Sequence, residues 1–209
     1  MLNSNLKQEL GIRNLLMMYV GNLEAYQGID LLLESFARAQ QQNQQADLVI
    51  IGGEASDIAK YQAKAQDLGI SEKVYFLGPR PVEDLALYLA QADILVSPRT
   101  KGKNTPMKLY SYLDSGKALL ATDLPTHTQL LDNRIAMLAA PQPEAFAAGM
   151  INLINSASLR SQLGIAGRTL IQQKHTYQAF QEKLNSLYDW LQADLMKGAA
   201  TASLSSNAA

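Results

Sequence analysis

Along most of this 209-residue chain, short runs that are apolar almost throughout alternate with longer stretches in which apolar residues return every three or four positions. The first pattern suits strands covered on both faces, and the second suits helices that lay one stripe on a core. Apolar runs at 15–20, 47–51, 74–77, 94–97, 118–121 and 135–138 predict six strands. Between them the spacing predicts helices over 28–41, 56–68, 82–90, 106–115 and 125–132, with Gly69, Gly78 and Gly116 where elements should stop. This alternation predicts βα units, so the expected fold is α/β: one doubly wound, Rossmann-like parallel sheet of six strands with helices on both faces.

After the sixth strand the pattern turns helical, over 143–155, 158–173 and 177–196. The last of these carries Phe180, Leu184, Leu187, Tyr188, Leu191 and Leu195 at helical spacing, so one apolar stripe must lie on something. Residues 1–197 are therefore expected to form one domain. The Ala/Ser-rich stretch 198–209, without charge or period, is expected to be a disordered tail.

A formal net charge of -1 and a pI near 6.1 supply no global field for nucleic acid or an anionic membrane, so any polyanion must be met locally. The absence of cysteine removes disulfides, thiolate metal sites and a cysteine nucleophile, and suits a cytoplasmic protein. Residues 1–13 are polar and amphipathic, unlike a secretion signal, and the apolar run at 15–20 is far short of the roughly 20 residues a membrane span needs.

In an open sheet of order 3-2-1-4-5-6, ligands bind at the strands' carboxyl ends between strands one and four. The loops there run from Gly21 to Gly28 and from Pro98 to Lys108, and they are expected to face each other. No acidic residue falls between Asp93 and Asp114, yet Arg99, Lys101, Lys103 and Lys108 all do. Thr105 followed by Pro106 reads as a helix start, capped by Thr105 or Asn104 with Pro106 at or near the first helical position. Free amides there, together with the lysines, describe a phosphate site. A solvated basic loop is the bland alternative, and its place at the switch point argues for the ligand. Neither Gly-x-Gly-x-x-Gly nor a P-loop is present, and no Asp-x-Asp or His/Asp cluster offers a metal. A bound diphosphate would have to be neutralised by cations and amides alone, which points to metal-independent nucleotide-sugar chemistry. His127 reads as a lone exposed histidine on the cleft rim, His175 as a boundary between helices, Asp123 as a loop cap or a sugar contact, and Gly52-Gly53 as a tight turn.

Three segments, taken in order, carry a resemblance: Tyr19-Val-Gly-Asn-Leu-Glu-Ala-Tyr-Gln-Gly-Ile-Asp-Leu-Leu, Val74-Tyr-Phe-Leu-Gly, and Asn104-Thr-Pro-Met-Lys-Leu-Tyr-Ser-Tyr-Leu-Asp-Ser-Gly-Lys-Ala-Leu-Leu-Ala-Thr-Asp. From about Gly11 to about Leu191 the chain resembles the C-terminal, nucleotide-sugar-binding domain of family-4 (group 1) retaining glycosyltransferases of the GT-B fold. The resemblance implies a UDP- or GDP-sugar donor and no cofactor. It also implies an N-terminal acceptor domain or partner subunit, absent from this chain. It places the backbone of Gly21 at the diphosphate, Gly78 and Arg80 at the nucleobase, Leu109 at the ribose, and main-chain groups of Asn104, Thr105 and Pro106 at phosphate and sugar.

Asn22 and Gln27 stand where relatives often carry an Arg or Lys pair, and Lys103 and Ser111 where they often carry two glutamates. Lys103 and Lys108 could restore the missing positive charge from the second loop. No catalytic residue is assigned. The reading is a donor-binding half, inactive alone, which could also dimerise through its C-terminal helix. A non-catalytic nucleotide-sugar-binding or assembly module is the alternative. A nucleic-acid-binding domain ranks last, because the basic loop lacks interleaved aromatics.

Overall fold

A computed structural model describes residues 5–206. Six strands form one all-parallel sheet: β1 (Leu15–Val20), β2 (Ala46–Ile51), β3 (Val74–Gly78), β4 (Ile94–Ser97), β5 (Ala118–Thr122) and β6 (Met137–Ala139). Their order is β3-β2-β1-β4-β5-β6, the doubly wound order expected from the pattern, with the reversal between β1 and β4. All six residues of β2 and the middle four of β1 are buried, which is why these segments read as unbroken apolar runs.

Nine helices accompany the sheet among the described residues. They are α1 (Leu6–Glu9), α2 (Ile29–Gln42), α3 (Ala55–Asp67), α4 (Leu85–Gln91), α5 (Lys108–Asp114), α6 (Pro125–Thr128), α7 (Pro143–Asn155), α8 (Ala157–Lys174) and α9 (Tyr177–Ser206). Phe36 of α2 and Phe146 and Met150 of α7 are fully buried in the core over the sheet. Each such side chain contributes about 1.5–3 kcal/mol of transfer free energy. Two carboxylates, Asp47 buried and Asp93 half-buried, mark the lower strand ends. Asp47 accepts from Asn14 Nδ2 at 2.8 Å and faces Lys73 Nζ at 3.4 Å. Asp93 accepts from the Leu16 amide at 2.8 Å and pairs with Lys7 Nζ at 2.7 Å.

The chain divides into two compact units, Met1–Leu170 with the sheet and Ile171–Ala209 with the end of α8 and all of α9. In the second unit Tyr177, Phe180, Leu187, Tyr188, Trp190 and Leu195 are exposed. None of the described helices is long and apolar enough to cross a membrane.

Several boundaries differ from the sequence pattern. The helix expected over 82–90 opens as a 3-10 turn, Val82–Asp84, before α4. β6 starts at Met137 because the amides of Ile135 and Ala136 turn back to the Asp132 carbonyl. α9 runs on to Ser206, into the stretch expected to be a tail, and residues 207–209 lie outside those described. The largest correction concerns α5. It begins at Lys108, without a side-chain cap, because the Thr105 hydroxyl donates to Gln129 Oε1 at 3.4 Å instead of capping the helix. With only seven residues, α5 provides no extended helix dipole at its start.

Candidate functional site

The two loops at the switch point meet. The Thr100 amide donates to the Tyr26 carbonyl at 3.0 Å, and the Arg99 guanidinium lies 5.0 Å from the centre of the Tyr26 ring. Gly28 sits in the left-handed region at φ 77°, and any side chain there would strike the Pro98 carbonyl. Glycine is what lets the first loop approach the second so closely.

The Lys108 side chain lies where the two loops meet, through a chain of local causes. Tyr112, fully buried on α5, accepts the Val20 amide at 2.7 Å and donates to the Val20 carbonyl at 3.2 Å. That pins α5 to the end of β1. Residue 108 lies four positions earlier, on the same helix face, so its side chain falls over β1 as well. The Lys108 ammonium stands 4.1 Å from the centre of the buried Tyr19 ring and donates to Gln27 Oε1 at 3.3 Å. A Cβ placed on Gly21 would come within 2.7 Å of the Lys108 nitrogen, so the amine lies directly against the Gly21 backbone. The Tyr19 hydroxyl donates to the Asn22 carbonyl at 2.6 Å and holds the turn above. Burial, with the like charge of Arg99 adding to it, pushes the Lys108 pKa down from 10.5 to about 7. Gly21, Asn22, Gln27 and Lys108 are thus brought together, with the Lys108 amine reaching the first loop from α5.

The second loop is held from its far side by α6 and the residue after it. Thr126 Oγ1 donates to the Asn104 carbonyl at 2.8 Å, and Gln129 Nε2 to the Lys103 carbonyl at 2.7 Å. Thr122 Oγ1 donates to the Arg99 carbonyl at 2.6 Å. His127, expected at the rim, is completely buried here, with both ring nitrogens engaged. The tautomer follows from counting protons. Thr122 has given its only hydroxyl proton to Arg99, so Nδ1 must carry the hydrogen facing the Thr122 carbonyl at 3.0 Å. Nε2 is then the acceptor for Ser97 Oγ–H at 2.8 Å. Burial pushes the His127 pKa down to about 4, Arg99 and Lys108 acting in the same direction and the Thr122 carbonyl against it. Gathering two hydroxyls and a carbonyl around one ring is a tertiary effect, and a lone histidine in a polar segment gives no sign of it.

Other expected residues lie apart from this pocket. Gly78 ends β3, where its carbonyl accepts the Gly52 amide at 2.8 Å, and Arg80 beyond it is exposed. Two strand spacings separate β3 from β1, about 10 Å. Ser111 faces a groove of about 510 Å³ between α4 and α5, with Glu83, Asp114 and Arg168 in its walls. Leu109 is wholly buried, and its amide donates to the Pro106 carbonyl at 3.1 Å. Pro106 is buried, Asn104 and Lys103 are exposed, and Thr105 is half-buried beside Gln129. Asp123 is exposed while its amide extends the β5–β6 ladder to Ala139. Gly52 is required because a side chain there would meet the Gly21 carbonyl.

These features define a class: a doubly wound α/β domain whose strand-end loops enclose a cation at the topological switch point. Within that class the chain belongs to the group 1 glycosyl transferases, whose family profile matches residues 4–170. It is similar to the D-inositol 3-phosphate glycosyltransferase of Corynebacterium diphtheriae, 26% identical over 181 residues that cover 82% of this chain and 42% of that protein. It is also similar to the phosphatidyl-myo-inositol mannosyltransferase of Mycobacterium tuberculosis, 25% identical, covering 71% of this chain and 40% of that protein. Among solved structures the fold matches Anabaena Alr3699/HepE in complex with UDP, with a TM-score of 0.77 at 19% identity over 88% of this chain and 52% of that one. It likewise matches the C-terminal domain of the group 1 glycosyl transferase LpcC from Francisella tularensis, TM-score 0.72 at 18% identity, covering 85% of this chain and 95% of that one. The chain spans less than half the length of these two curated relatives.

Proposed function

We propose that this chain is the donor-binding half of a retaining glycosyltransferase, holding a UDP- or GDP-sugar at the switch point for transfer to an acceptor carried by another domain or subunit. The observation that carries this reading is the Lys108 amine, mostly withdrawn from water, set against the Gly21 backbone and joined to Gln27. A lysine so placed costs stability, and a diphosphate lying over Gly21 would give it a counter-charge. In this reading Asn22 borders the diphosphate, and Asn104, Thr105 and Pro106 of the second loop, with the charge of Lys103, meet it from the other side. On the same reading Gly78 and Arg80 take the nucleobase, and Ser111 and Leu109 the ribose side. The diphosphate charge is met by cations and amides, and no cluster of metal-binding side chains gathers among the described residues.

UDP is the first nucleotide to test, because Anabaena HepE, similar in fold, was solved with UDP and with UDP-glucose. The exposed stripe of α9, Phe180, Leu187, Tyr188 and Leu195 among it, is the surface we assign to the acceptor half or to a second copy. Lys103 and Ser111, in place of the usual glutamates, favour a second reading, a nucleotide-binding module without catalysis. Sugar transfer on adding an acceptor half separates the two.

Calorimetry with UDP and GDP, with and without magnesium, tests the site. One wall of a cleft should bind with high-micromolar to millimolar affinity, roughly -4 to -6 kcal/mol. Lys108→Ala should weaken binding by about 1.5–3 kcal/mol, the worth of a charge-assisted hydrogen bond. Lys117→Ala, at the opposite end of the sheet, should leave it unchanged; Lys7, paired with Asp93, would be a poor control. Equal losses from both variants, or a strict magnesium requirement, would overturn the reading.

A further inference from the structure

The end of β5 and the segment after it contribute nothing to the site through their charges, yet they touch the second loop at three places. Thr122 holds the Arg99 carbonyl, Gln129 the Lys103 carbonyl, and Thr126 the Asn104 carbonyl. Every peptide bond here is trans. In a trans peptide the carbonyl and the following N–H point in opposite directions. The first of the three shows the consequence directly: with the Arg99 carbonyl turned to Thr122, the Thr100 N–H turns the other way and donates to the Tyr26 carbonyl of the first loop. The other two obey the same geometry. With the Lys103 and Asn104 carbonyls turned to the segment after β5, the N–H groups of Asn104 and Thr105 face away from it, and in the sheet β1, which leads into Gly21, is the neighbour of β4 on the side opposite β5. Neither of these two N–H groups donates to another group among the described residues.

We propose that Thr126 and Gln129 are positioning residues: by holding the carbonyls of Asn104 and Lys103, they aim the Thr105 and Asn104 amides at the phosphates of the bound nucleotide. The inference rests on the donor-binding reading above and names the residues that preset its second loop. His127 belongs to the same support, since it ties the end of β4 at Ser97 to the end of β5 at Thr122 and so fixes the base from which Thr126 reaches up. Preset amides need no reordering when the anion arrives, whereas a loop free to turn would lose entropy on binding.

The test is a titration of the ¹⁵N-labelled full chain with UDP, and separately with GDP, comparing wild type with Thr126→Val, Gln129→Ala and Thr126→Ser. Gln129 is exposed, so its variant keeps the fold even if the buried Thr126→Val does not. In the wild type the amide protons of Asn104 and Thr105 should move downfield on binding. Loss of either clamp should weaken nucleotide binding about fivefold to tenfold, the worth of one net hydrogen bond. Thr126→Ser should restore both affinity and shifts. If wild type saturates while those two amides stay still, or if the variants bind as wild type does, the positioning role is overturned and the donor site stands. If neither nucleotide moves any signal of the wild type, the donor site itself fails, and the positioning role with it.

Discussion

Replacing Lys108 by methionine separates the cost of a buried amine from its use. In the folded chain the Lys108 pKa lies at about 7, against 10.5 for an ordinary lysine. A gap of that size disfavours the charged folded state by roughly 5 kcal/mol. Methionine gives up two contacts of the amine, the Tyr19 face 4.1 Å away at about 1–2 kcal/mol and the hydrogen bond to Gln27 Oε1 at about 1 kcal/mol, so about 2 kcal/mol of that penalty is left to be recovered by the substitution. The sign follows from proton counting. Between pH 7 and 10.5 the unfolded lysine holds its proton and the folded one releases it, so wild-type stability rises with pH across that window. Below pH 7 both states are protonated and the penalty is felt in full. Lys108→Met should therefore raise the urea midpoint at pH 6, by an amount equal to about 2 kcal/mol, and flatten the rise toward pH 10. The same substitution should weaken UDP binding by about 1.5–3 kcal/mol, because the phosphate loses its charged donor. Opposite signs for stability and affinity mark a residue kept for function. A methionine variant that is less stable at pH 6, or that binds UDP as wild type does, would refute the reasoning.

Two further outcomes are expected from the same pocket. Tyr112→Phe removes the hydroxyl that both accepts and donates at Val20, leaving a half-buried amide without that partner, and should cost about 1–3 kcal/mol by urea denaturation. It should also weaken UDP binding, since α5 then loses the anchor that sets Lys108 over Tyr19. His127, pushed down to about 4, stays neutral in the fold while the unfolded chain protonates near 6.5. Stability should accordingly fall as pH drops from 6.5 to about 4, by up to roughly 3 kcal/mol, and level off below. In His127→Gln that loss should be smaller by the same amount, measured by thermal melts across the window.

The sheet was legible from sequence because its strands are buried on both faces, and burial of that kind leaves an uninterrupted apolar run such as Leu15–Val20. Alternation with helices implies a parallel sheet, and the common doubly wound order, which this sheet adopts, brings the two loops together. The site was legible only as far as chemistry that sits on the surface. A lysine at 108 adds one charge to a basic loop wherever its side chain points. Its descent beneath Gly21 depends on Tyr112 reaching Val20, a contact between residues 92 positions apart that no local pattern encodes. The same reason explains the misplaced start of α5. Thr105 has the chemistry of a cap, but Gln129 competes for its hydroxyl from a segment 24 residues away. His127 fails in the opposite sense, since a polar residue among Pro, Thr and Gln reads as exposed until hydroxyls from two strand ends close around it.

The stripe of α9 carries the last prediction. Phe180, Leu187, Tyr188, Leu191 and Leu195 fall within one face of a helix at 100° per residue, and all five are exposed, while Leu184 between them is half-buried. Trp190, also exposed, borders that face. An exposed apolar stripe of this kind is an association surface or a liability to aggregation. If it serves a partner, a defined complex must form at a defined stoichiometry, and charge-neutral polar substitutions on the stripe must abolish it without lowering the melting temperature. Phe180→Ser and Leu187→Ser are the informative changes, because their side chains are more exposed than Leu184, whose loss would also disturb packing. Sedimentation velocity of the chain alone, and mixed with an acceptor half of a group 1 enzyme, distinguishes a homodimer from a heterocomplex. Open-ended association, or a complex that forms equally well with both serines in place, would show that the stripe is not the docking surface. A transfer reaction catalysed by this chain alone would show that no second wall is needed to hold the acceptor about 3 to 3.5 Å from the reacting carbon, and the half-enzyme reading would fall with it.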